Sequence, residues 1–135
     1  MNAKTGAKTR SPLTTRQLIK HLQESGFTVE LKREAVLLAE SAKPNVRARQ
    51  VPVYEQVEYQ RAGRPAEIKG LIVPDSNTIL INRSLPVNER VITAIHELIH
   101  LHSPELTENE TEQEAVRLYR ESNDHDLGYL EFLVS

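Results

Sequence analysis

The sequence predicts an α+β fold: a small mixed or antiparallel sheet packed on one long helix, with a second, Glu-bearing helix after it. Three observations predict this. Two β-rich runs, Ile68 to Val73 and Thr78 to Asn82, are separated by Pro74-Asp-Ser-Asn77, the residue types a tight strand connection needs. Residues 87–103 are apolar at helical spacing over most of their surface, and such a helix must be largely buried. Thr107-Glu-Asn-Glu110 has the Thr-x-x-Glu capping form and opens a helix over residues 108–122.

Each element has its own reason. Residues 1–11 are small, polar and basic without periodicity, and read as a disordered arm. Leu13 to Ser25 has Leu18, Ile19 and Leu22 at helical spacing, with Gly26 as its stop. Phe27 to Leu31 reads as a short strand. Arg33 to Ala42 reads as a helix ended by Pro44. A strand between the two helices argues against a helix-turn-helix, which needs a tight turn there. Residues 46–60 alternate weakly through Val51, Val53, Val57 and Tyr59 and suggest extended structure. Pro86 and Asn88 open the long helix and Pro104 closes it. Residues 123–135 form a C-terminal tail whose last residues, Tyr129 to Val134, are apolar enough to dock.

Composition bounds what the chain does. With 135 residues, the stretch 12–135 makes one domain whose core needs no covalent staple. The 39% hydrophobic share is spread out, and no run approaches the roughly 18 apolar residues of a membrane span, so no membrane partner is expected. Cysteine is absent, which excludes disulfides, thiolate catalysis and all-Cys zinc sites. The N-terminus lacks an apolar signal region, so a cytoplasmic location is expected. Net charge is −2, with the basic residues concentrated in 1–20, and a nucleic-acid partner is not expected.

The chemistry lies in His96-Glu97-Leu98-Ile99-His100, an H-E-x-x-H motif. Positions i and i+4 of a helix lie about 40° apart, one turn up the same face, so two imidazoles there can reach one metal ion. Zinc takes such nitrogens at about 2.0–2.1 Å and prefers four ligands. Glu97, about 100° round the helix, is near enough to act as general base on a zinc-activated water without taking a ligand place. Burying two histidines and a carboxylate without partners is costly, and a metal removes that cost. The bland alternative is a helix with two partnered histidines and a surface Glu. His102 lies about 160° from His100 and cannot share the metal if the helix continues. His21 reads as a surface residue, His125 as an exposed tail histidine, and Tyr119 as a boundary residue of the core.

A third ligand should come from the Glu-rich helix. Most carboxylates there, Glu108 among them, suit the helix N-terminus simply as a solvated acidic face. Glu114 stands apart, because it precedes Ala115 and Val116 where the helix turns inward. Glu112 and Glu110 are the alternatives.

The stretch GLIVPDSNTILINRSLPVNERVITAIHELIHLHS, followed by ETEQEAVRLY, resembles the ImmA/IrrE family of small gluzincin-like metallopeptidases. The shared pieces are the hairpin over 68–82, His96 to Leu101, and Glu112-Gln-Glu-Ala115, all within residues 68–122. The chain has Ile99 where the family often has Gly, and Val116 where it has Asn. The resemblance implies zinc held by His96, His100 and Glu114, with Glu97 as general base. It also implies hydrolysis of a peptide or protein substrate such as a transcriptional repressor. The alternative function is a non-catalytic regulatory protein that keeps the metal scaffold. An exposed edge of the hairpin would hold an extended substrate by strand addition.

Overall fold

The computed structural model describes residues 12–43, 46–50 and 68–135. The arm expected over 1–11 and the part of the extended stretch expected over 51–60 lie outside the described residues. In chain order the elements are α1 (Thr15–Ser25), β1 (Thr28–Lys32), α2 (Glu34–Ser41), β2 (Arg47–Gln50), β3 (Ile68–Val73), β4 (Thr78–Asn82), α3 (Val87–His102), α4 (Glu108–Glu121) and α5 (Asp124–Leu133). The fold is α+β, with the helices packed on a small mixed sheet.

Local chemistry sets the boundaries. Thr14 and Gln17 form a reciprocal capping box at the start of α1. Gly26, at φ 79°, ends α1 in the left-handed region, where a side chain would be strained. The hairpin turn is a 3-10 turn over Pro74–Ser76, closed by Asn77 at φ 51°. Asn tolerates that conformation better than most residues with a side chain.

The described sheet has the order β1-β4-β3-β2. β1 runs parallel to β4, and β3 is antiparallel to both β4 and β2. This order corrects the expectation of an open hairpin edge: β3 and β4 are both interior strands, with each hydrogen-bonding edge already paired. Every residue of β4 is buried, because helices cover both faces. Ile79 and Ile81 pack into a core with α1, α3, α4 and α5, whereas Leu80 joins Leu37 of α2, Leu71 and Val73 on the other face. Side chains alternate across a strand, so a strand covered twice becomes a continuous apolar run.

The register slips where Arg49 and Gln50 face Gly70 and Ile68, leaving Lys69 as the extra residue of β3. Such a bulge re-aims a side chain. Lys69 is 2% exposed, and its ammonium lies 3.0 Å from the Glu89 carboxylate of α3. Beside it, a Cβ on Gly70 would fall 2.5 Å from Thr93 Cγ2, so the missing side chain lets α3 lie close against β3.

The segment after Asn123 differs from the expected tail. It is helix α5, started by the Asn123 side chain accepting from the Asp126 amide at 2.8 Å. Its apolar end does dock: Leu130 and Val134 are fully buried. The Arg90 guanidinium of α3 donates to the carbonyls of Leu85, Arg83 and Val134 at 2.8–3.0 Å, tying the chain end to the N-terminal part of α3.

Candidate metal centre

Helix α3 supplies the first two donors. His96 is 2% exposed and His100 is 4% exposed. One turn apart, their Nε2 atoms converge to 3.1 Å. The carboxylate that meets them comes from the first turn of α4. Glu108 Oε1 lies 3.1 Å from His96 Nε2 and 2.9 Å from His100 Nε2. His96, His100 and Glu108 are the group of described residues able to hold a metal ion.

The triangle can be tested for size. Edges of 2.9–3.1 Å give a circumradius of about 1.8 Å, so a point about 2.0–2.1 Å from all three atoms exists roughly 1 Å out of their plane. The donor set fits a borderline divalent cation that accepts two imidazole nitrogens and one carboxylate oxygen. Three acceptor atoms aimed at one point repel one another unless a proton or a metal cation lies between them.

The Glu108 side chain is half-exposed, unlike the imidazoles. Partial burial works to raise its pKa. The hydrogen bond and charge of His100, and then those of His96, outweigh burial and hold it below the ordinary carboxylate value. Glu112, one turn further along α4, approaches His96 from the other side, with Oε1 2.9 Å from Nδ1. It lies against the far nitrogen and outside the triangle.

Glu114, the carboxylate the sequence favoured, is not brought to this site. It pairs with Arg117 at 2.6 Å, and that guanidinium also reaches Glu121 at 2.7 Å. Both Glu114 and Glu110 face a groove of about 710 Å³ on the opposite flank of α4. The reason is angular. The buried face of α4 is Thr111, Ala115 and Leu118. At 100° per residue, Glu114 stands about 100° to one side of Ala115, while Glu108 and Glu112 stand about 20° and 60° to the other. A signal for Glu108 was present: it lies two turns before Ala115 on almost the same line. The acidic first turn disguised it, because capping and dipole effects already account for a carboxylate there.

Glu97 is completely buried, which excludes the surface position the bland alternative required. His102 lies outside the triangle: its Nδ1 is 2.8 Å from Ser103 Oγ, and its ring meets His21 edge-on at 5.2 Å. His125 is exposed in the first turn of α5, and Tyr119 packs against the main core. No helix among the described residues is long and apolar enough to cross a membrane.

No family model, curated protein or solved structure matches the chain.

Proposed function

We propose that this chain is a zinc-dependent metallopeptidase of the ImmA/IrrE type, acting in the cytoplasm on a peptide or protein substrate such as a transcriptional repressor. The observation that carries the reading is the convergence of His96, His100 and Glu108 on one point from an H-E-x-x-H helix and the helix that follows it. The carboxylate is Glu108 rather than the Glu114 that the family resemblance implies. Zinc in such a site supplies a Lewis acid for the scissile carbonyl and makes a nearby water more acidic.

The chain's own residues do the rest. His96 and His100 offer neutral nitrogen lone pairs, and Glu108 adds one negative charge, so a divalent ion keeps net positive character toward a carbonyl oxygen. Glu97 takes a proton from the attacking water as its oxygen adds to the carbonyl carbon. It then delivers that proton to the departing amine as the C–N bond breaks. The half-exposed Glu108 leaves this side of the site open to solvent and substrate, which suits a catalytic site better than a closed structural one.

A second reading is a non-catalytic scaffold in which the ion ties α3 to α4. The complete burial of Glu97 favours it. One experiment separates the two. Purified protein and its Glu97→Gln variant are assayed for bound zinc and for cleavage of an unfolded protein substrate. The enzyme reading expects zinc in both and cleavage in the wild type alone. Equal cleavage by both, or none by the zinc-loaded wild type across varied peptides, sinks it.

A further inference from the structure

The carboxylate of Glu112 lies 2.9 Å from Nδ1 of His96, on the opposite side of the ring from the atom that faces His100 and Glu108. From this contact we infer that Glu112 is a positioning residue: it accepts the Nδ1–H of His96 and fixes the tautomer in which Nε2 presents a lone pair to the shared point. The inference rests on the metal reading above and names a different residue and a different task.

The chemistry follows from the two ring nitrogens. A neutral imidazole carries one proton. If that proton sat on Nε2, it would point into the triangle and block ligation; on Nδ1, it leaves Nε2 free. With a cation rather than a proton between Nε2 and Glu108, the carboxylate at Nδ1 selects the second arrangement, makes Nε2 more basic, and holds the ring against rotation. The helix supplies the geometry: Glu108 and Glu112 are four residues apart on one face of α4, so one turn grips both nitrogens of a single ring. The His96 side chain is almost wholly buried, whereas the Glu112 side chain is 40% exposed. Glu112→Gln, which keeps the size of the side chain, is therefore a change at a partly exposed position.

The test compares wild type, Glu112→Gln, Glu112→Ala and Glu108→Gln, each titrated with zinc against a competing chelator. NMR of the zinc-loaded proteins follows the His96 Nδ1–H proton. The expected result is a zinc affinity about 10- to 100-fold weaker for both Glu112 variants, and a larger loss for Glu108→Gln. The His96 Nδ1–H signal should move and exchange faster with water in the Glu112 variants, while the signal of His100 holds. Unchanged affinity and an unchanged His96 signal overturn the inference. A Glu112 variant that loses zinc while Glu108→Gln keeps it also overturns it, by making Glu112 the ligand. Wild type that takes up no zinc overturns the site reading and this inference with it, and that failure is told apart because it appears before any substitution.

Discussion

The Nε2 atoms of His96 and His100 stand 3.1 Å apart, with Glu108 Oε1 within 3.1 Å of both. Two imidazoles and a carboxylate cannot all face one point as acceptors without a proton or a metal cation to share.

The first prediction follows directly. Wild type should bind one zinc ion per chain by elemental analysis. His96→Ala, His100→Ala and Glu108→Gln should each weaken binding by more than the roughly 100-fold that outer groups cost. Glu114→Gln should leave affinity unchanged, since its partner is Arg117. Loss of zinc in Glu114→Gln with retention in Glu108→Gln would return the site to the arrangement expected from the sequence.

Close approach of helix and sheet gives a second. In Gly70→Ala the new methyl meets Thr93 Cγ2 at 2.5 Å and the Leu80 carbonyl at 3.0 Å. Overpacking of this kind costs about 1–3 kcal/mol and should lower Tm by several degrees. Adding Thr93→Ser, which removes the clashing methyl, should recover part of that loss in thermal denaturation. Additive losses in the double variant would refute the contact as the cause.

The anchor of the chain end gives a third. Arg90 bridges three carbonyls, including that of Val134. Arg90→Ala should cost about 2 kcal/mol, and Lys should not rescue it, because an ammonium lacks the planar fork. Hydrogen exchange should speed up at the amides of residues 130–134 before it does in α1. Uniform acceleration would show that the clamp is not local.

The pair on the far flank of α4 gives a pH signature. The Arg117 hydrogen bond lowers the Glu114 pKa, burial opposes it, and the Arg117 charge adds to the lowering, so the folded value lies below the ordinary 4.5. A depressed carboxylate contributes stability above its unfolded pKa and loses it as pH falls through the folded one. Wild type should therefore exceed Glu114→Gln by up to about 1 kcal/mol near neutrality, with the two converging below pH 4.5 in urea titrations. A gap that persists in acid would rule out this pairing as its origin.

Much of the fold was legible in local pattern. The hairpin strands Ile68–Val73 and Thr78–Asn82 fall where the β-rich runs placed them, and Thr107 with Glu110 forms the capping box its spacing announced. Partners far apart in sequence were not legible. The parallel pairing of Thr28–Lys32 with β4 leaves no mark on either run alone. Helix α5 was missed because Gly128 interrupts it and its apolar residues are not confined to one stripe. At the site, H-E-x-x-H set the two histidines together because one helix turn dictates their spacing. The third donor depended on how α4 is rotated against α3, and that rotation is fixed by Thr111, Ala115 and Leu118 rather than by any carboxylate.

The three converging donors all come from residues 96–108, bridged by the short connection Ser103 to Thr107. Closing so small a loop costs little chain entropy, so even a denatured polypeptide can grasp the ion with some of these groups. Ligand taken up by the denatured ensemble subtracts from the stabilisation of the native one. Saturating zinc should consequently raise the melting temperature by less than its affinity for the folded protein alone would dictate.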